Sequence, residues 1–170
     1  MNAVLEYEKK IYFKDRKDYL ISRITHEDNY LIWKYMTYLR REEAAGNKLA
    51  AYFWRRRKND LGAKLGIVAY AGCCGKGLHI WHYGSVIISG EAKLGENCTF
   101  HGQACIGNDG ATTAAPVIGN NVDIGVGAKI IGGITIADDV KIGAGAVVTK
   151  SCHEKGATLV GIPAKILSKK

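Results

Sequence analysis

From Ile88 onward an aliphatic or aromatic residue returns at every sixth position: Ile88, Leu94, Phe100, Ile106, then Ile118, Ile124, Ile130, Ile136, Ile142 and Val148. Only the place between Ile106 and Ile118 is missed, and the count resumes in phase. Four residues after these positions come mostly small or β-branched side chains: Ala92, Cys98, Ala104, Val122, Ala128, Ile134, Val140, Ala146 and Cys152. Glycine often follows directly, as at Gly95, Gly107, Gly119, Gly125 and Gly143. Neither the helix period nor strand alternation produces a six-residue repeat. A short strand plus a turn does, and three such units close a triangular coil. Successive coils then stack at the inter-strand distance of roughly 4.8 Å. In this frame the large residue fills the prism corner, the small one fits beside it, and glycine permits the tight turn. Coils of three sixes place Phe100 beneath His82 and His101 beneath Tyr83. Cys98 and Cys152 take the small inward position, a structural role, whereas Cys105 precedes an inward isoleucine and has no evident partner.

Glycine also divides the chain. Residues 1–61 contain one, Gly46, and residues 62–170 contain the other 20 of 21. This predicts an N-terminal helical segment over 1–61 and a β-coil domain with a C-terminal tail over 62–170. Within the first part, Leu31, Ile32, Tyr35, Met36 and Leu39 recur at helical spacing from His26 to Ala45, with Asp28 or Asn29 as cap and Gly46 as stop. A second helix is expected from Lys48 to Lys58 and a shorter one from Asp15 to Arg23. Such helices cannot bury a core alone and must dock on the coil or on another subunit. Trp33, Tyr30, Tyr35, Tyr38 and Trp54 read as their packing surface.

The net charge of +8 favours anionic partners. Its densest run, Arg55-Arg56-Arg57-Lys58, has no nucleic-acid-binding signature around it and reads as a solvated helix face or an attraction to acidic lipid or glycan carrier. The five cysteines follow no zinc spacing, no leader opens the chain, and no apolar stretch approaches the roughly 18 residues of a membrane span. A soluble, reduced, cytoplasmic protein is expected.

Three stretches carry a resemblance: Ile124-Gly125-Val126-Gly127-Ala128-Lys129-Ile130, Ile142-Gly143-Ala144-Gly145-Ala146-Val147-Val148, and Val160-Gly161-Ile162-Pro163-Ala164-Lys165. They resemble the hexapeptide-repeat acyltransferases. His82-Tyr83-Gly84-Ser85-Val86-Ile87-Ile88 and the frame after it are most similar to the serine acetyltransferase branch, which includes proteins associated with surface polysaccharides. The resemblance spans about Gly66 to Ile166. It implies a mostly β protein, a left-handed parallel β-helix behind a short helical segment. It also implies a homotrimer, with a dimer of trimers as a further option, and acetyl-CoA as co-substrate in a groove between subunits. Left-handed crossovers oppose the usual rule, so the hand follows from the resemblance alone.

Acetyl transfer from a thioester to a hydroxyl needs a proton acceptor and donors for the developing oxyanion, and no metal. Among the five histidines, His26 and His153 read as surface residues and His79 has no motif around it. His82 matches the family's catalytic histidine; from spacing alone it could equally be a corner residue, being in phase with Ile88. His101, one coil away, is a second active-site residue or a satisfied turn histidine. The loop from Asn108 to Ala115 interrupts the repeat, and Asn108 and Asp109 are expected to meet the acceptor or to form a solvated turn. The resemblance places Val126 and Ala144 along the pantetheine arm, with Lys141 and Lys165 near the CoA phosphates.

Two departures bear on the acceptor. The family's aspartate, fifteen residues before its catalytic histidine, falls on Ile67 here. Its arginine–histidine pair before a proline is replaced by Ala114-Ala115-Pro116, and alanine cannot grip a carboxylate as a guanidinium does. The expectation is therefore an acetyl-CoA-dependent O-acetyltransferase acting on a sugar hydroxyl of a surface polysaccharide or its precursor, with His82 as general base. Serine O-acetylation for cysteine synthesis and a non-catalytic trimeric scaffold are the alternatives.

Overall fold

The computed structural model describes residues 2–167. Four helices come first: α1 (Asn2–Tyr12), α2 (Arg16–Thr25), α3 (Asp28–Glu43) and α4 (Lys48–Leu65). Asp15 caps α2 by accepting from the Asp18 amide, and Asn47 caps α4 by accepting from that of Ala50. The expected cap of α3 is displaced: Asp28 lies inside the helix, and Glu27 precedes it without a side-chain cap. Helix α4 runs seven residues beyond Lys58 and ends at Gly66, whose left-handed φ of 67° suits glycine. Gly62 does not stop it. A Cβ there would sit 2.5 Å from the Ile67 carbonyl oxygen, so that glycine lets helix and coil touch.

Five coils follow. The first holds β1 (Ile67–Val68) and β2 (His79–Ile80); the second β3 (Val86–Ile88), β4 (Lys93–Leu94) and β5 (Thr99–Phe100). The third holds β6 (Cys105–Gly107), β7 (Val117–Ile118) and β8 (Asp123–Ile124). The fourth holds β9 (Lys129–Ile131), β10 (Thr135–Ile136) and β11 (Lys141–Ile142); the fifth β12 (Val147–Val148) and β13 (Thr158–Val160). β14 (Lys165–Ile166) then folds back antiparallel on β13. The three prism faces are parallel sheets: β1-β3-β6-β9-β12, β4-β7-β10, and β2-β5-β8-β11-β13.

All ten repeat positions and all nine small positions are buried, Cys98 at 0% exposure and Cys152 at 4% among them. The inward stack continues into Tyr12, Phe13, Ile32, Trp33, Tyr35, Met36 and Leu39, so the helices cover the first coil with one shared core. Turns at one corner use left-handed Asn97, Asn121 and Asp139, residue types that tolerate positive φ. Their side chains form a ladder: Asn97 donates to Asn121 at 3.3 Å and Asn121 to Asp139 at 2.9 Å.

At the top of the coil the register departs from the eighteen-residue count. Phe100 pairs with Ile80, not with a position beneath His82, and His79 pairs with Thr99. Two extra residues therefore lie in the turn between Ile80 and Val86. Ile80 is the inward residue at 0% exposure, while His82 is exposed, which removes the corner-packing reading of His82. His101 lies beneath Trp81 rather than Tyr83: the Trp81 amide donates to the Phe100 carbonyl, and the two rings stack.

Candidate active site

The turn Trp81–Ser85 joins β2 to β3 at one prism corner. Its chain reverses through Gly84 (φ 101°) and Ser85 (φ 52°) and is fastened where the Gly84 amide donates to the Leu65 carbonyl at 2.8 Å. Gly102 sits directly below in the next coil, where a Cβ would come within 3.5 Å of the His82 Cβ. Further down the same corner lie Val126 and Ala144: the Gly127 amide donates to the Gly102 carbonyl, and the Gly145 amide to that of Val126. His82, Gly102, Val126 and Ala144 thus form one column along the coil axis, spaced by roughly 4.8 Å per coil. Gly127 and Gly145 adopt φ of 75° and 67°, and no side chain fills the space beside Gly145. The result is a low, open strip beside an exposed imidazole.

The flank of this corner carries a cluster that sequence reasoning reached only in part. His101 Nε2 and Asp123 Oδ1 are 2.7 Å apart, both side chains a little under half exposed. The Trp81 indole lies over the His101 ring, centroids 6.1 Å apart and planes within 8°. His79 packs against Trp81 at 4.9 Å and meets the Tyr12 ring edge-on at 5.2 Å. Burial, followed by the neighbouring His101, pushes the His79 imidazole below its ordinary value. Trp81 and Asp123 carry no spacing that marks them. The available signal is the eight-residue step from Ile80 to Ile88, which breaks the six-residue count at the turn holding His82.

The remaining predicted residues divide by place. Lys141 is exposed in register with Asp123, on the flank of the strip rather than in its column. Lys165 is exposed on β14 beyond the last coil. Asn108 and Asp109 leave from the β6–β7 corner, a different prism edge from that of His82. Their oxygens bind their own loop: Asn108 accepts from the Gly110 amide, and Asp109 accepts from the amides of Ala111 and Thr112. Within one protomer they do not meet His82. Position 67 is a buried isoleucine at 2% exposure, so no carboxylate approaches from there. Among the described residues no group of three or more His, Cys, Asp or Glu is arranged to hold a metal ion.

The basic run also differs from a uniformly solvated face. Lys58 is 3% exposed, donates to the Ala69 carbonyl at 2.8 Å and lies 2.9 Å from Glu42 Oε2; Arg55 holds the other Glu42 oxygen at 2.7 Å. Arg56 stays exposed. Among the described residues no helix is long and apolar enough to cross a membrane.

Residues 115–150 match the bacterial transferase hexapeptide family of six repeats. Over 127 residues the chain is 36% identical to a serine acetyltransferase of Helicobacter pylori, covering 72% of this chain and 74% of that protein. A serine acetyltransferase of Buchnera aphidicola is 35% identical over 136 residues, 51% of its own length. The serine complex of Neisseria gonorrhoeae serine acetyltransferase superposes with a TM-score of 0.72 at 25% identity, over 98% of this chain and 69% of that one. The coil is accordingly the left-handed parallel β-helix of such proteins. These relatives overturn the expected sugar acceptor: proteins similar over most of the chain are serine acetyltransferases, and nothing in them points to a polysaccharide. With its coil, its open strip and these relatives, the chain belongs to the hexapeptide-repeat acyltransferases and is an acetyl-CoA-dependent member of them.

Proposed function

We propose that this protein transfers the acetyl group of acetyl-CoA to the hydroxyl of L-serine. The observation that carries this reading is the 36% identity over 127 residues to a serine acetyltransferase. The chemistry is direct. His82 takes the hydroxyl proton, the oxygen attacks the thioester carbonyl, the carbon–sulfur bond breaks, and the imidazolium returns the proton to the thiolate. An exposed imidazole heading the strip suits that task, being free to meet a substrate. The strip fits a slim pantetheine arm, because Val126, Ala144 and two left-handed glycines leave it shallow. Lys141 and Lys165 supply positive charge for the CoA phosphates. Asn108 and Asp109 reach an acceptor only across a subunit boundary, and a homotrimer supplies that boundary.

The departures at Ile67 and Ala114-Ala115 make the acceptor the point to test. Purified protein with acetyl-CoA is expected to release thiol on addition of L-serine and not with a panel of sugars; no release with serine would overturn the acceptor. His82→Ala is expected to lower kcat by about two to four orders of magnitude, the usual contribution of a general base. Wild-type turnover in that variant would remove His82 from its role.

A further inference from the structure

His82 has a task but no fastening. Its side chain makes no hydrogen bond to another side chain or to backbone among the described residues, and it projects from a turn two residues longer than the turns below it. A base so placed samples several orientations unless something holds the turn. Beyond the Gly84 amide bond to the Leu65 carbonyl, the start of the turn meets a three-part stack on the adjoining face. Asp123 fixes the His101 ring through a 2.7 Å bond. The His101 ring lies nearly parallel to the Trp81 indole and stacks on it, centroids 6.1 Å apart. Trp81 precedes His82 directly in the chain, so its ring sets the direction in which the turn leaves the coil. His79 packs against the same indole, centroids 4.9 Å apart, and Gly102, at a φ of 120°, lies in contact with the His82 carbonyl from the coil beneath.

We propose that Asp123, His101 and Trp81 are positioning residues for His82, performing through stacking what a carboxylate hydrogen-bonded to the base would otherwise perform. This rests on the reading of His82 as base. Asp123 holds His101 against rotation, His101 holds Trp81, and Trp81 holds the turn. His101 itself takes no proton from substrate. A misplacement of about 1 Å at a reacting group lowers turnover up to about a hundredfold, so the stack acts on kcat and not on substrate affinity.

The test compares His101→Ala, His101→Phe, Asp123→Ala, Trp81→Ala and His82→Ala. His101→Ala and Trp81→Ala are expected to lower kcat by about tenfold to a hundredfold with KM for L-serine within about twofold. His101→Phe, which keeps a flat ring under the indole, is expected to recover most of the loss, and Asp123→Ala to fall between. Thermal midpoints are expected to stay unchanged, since both rings are partly exposed, whereas tryptophan emission shifts in His101→Ala and not in His82→Ala. A His101→Ala enzyme with wild-type kcat beside an inactive His82→Ala enzyme would overturn the stack and leave the base intact. So would a loss confined to KM, or a His101→Phe enzyme as slow as His101→Ala. An active His82→Ala enzyme removes the base and the stack's purpose together. The imidazole NMR signals of His82, identified by their absence in His82→Ala, give a readout that needs no acceptor. They are expected to be single in the wild type and in His101→Phe, and broadened or doubled in His101→Ala; unchanged signals in His101→Ala would again overturn the proposal.

Discussion

Cys98 and Cys105 show how one place in the repeat decides a side chain's chemistry. Cys98 points into the prism, is 0% exposed, and burial pushes its thiol up to about 11. Cys74 bridges to Leu94 in the next coil, and burial pushes it up to about 12. Cys105 alternates outward on β6 and is half-buried. Thiolate is the reactive form, so Cys73, Cys74 and Cys98 are expected to resist iodoacetamide at pH 8 until denaturant is added, as read by peptide mass spectrometry; Cys152, 4% exposed, is expected to resist through burial alone. Labelling of Cys98 in the native protein would contradict its inward placement. The spacing made Cys98 and Cys152 legible, because an inward position in a six-residue repeat depends only on counting. The site residues were legible in part. Position 82 stands out by its likeness to a family histidine, but its freedom from the core depends on a two-residue surplus that the count from Ile88 skips. Asp123 could not be found as the partner of His101, since residues 22 apart meet only after a loop has lengthened one coil by six.

Among the elements, α1 and the join of helices to coil were the least legible. Helix α1 is tied to the rest of the fold in part by one guanidinium. Arg40 Nη2 binds Glu8 Oε1 at 2.7 Å, its Nη1 donates to the Cys74 carbonyl at 2.8 Å, and Nη2 donates to that of Gly75 at 2.7 Å. The Gly77 amide donates to the same Glu8 at 2.9 Å. Glu8 is 0% exposed and Arg40 6%. Three elements thus share one buried ion pair, and two coil carbonyls are satisfied by it. Removing one partner of such a pair leaves the other buried and uncompensated, so Arg40→Met is expected to cost about 3–5 kcal/mol in urea unfolding. The double variant Glu8→Leu with Arg40→Met is expected to cost less than Arg40→Met alone. A cost below about 1 kcal/mol for the single change would place the pair with weak surface bridges. No local pattern announces this contact, because Glu8 and Arg40 are 32 positions apart.

At the scale of the whole molecule, the coil leaves apolar side chains facing outward on the strands that start the first two coils. Val68 and Ile87 are adjacent in register on β1 and β3 and both 45% exposed, with Tyr70 at 53% nearby. A contiguous apolar strip beside a candidate active site is what subunit association covers. Sedimentation at micromolar concentration is expected to give about three times the chain mass of 18.5 kDa; a stable monomer would leave Asn108 and Asp109 with no route to the acceptor and would sink the trimer. The chain by itself determined the coil and its inward residues. These follow from local periodicity, where each large residue needs a corner and each tight turn needs glycine, asparagine or aspartate. Only the tertiary structure decided which histidine leaves the core, which carboxylate holds its neighbour, and which buried arginine ties the helices on. Those outcomes depend on register between coils, and register is set by insertions and packing that no single repeat contains.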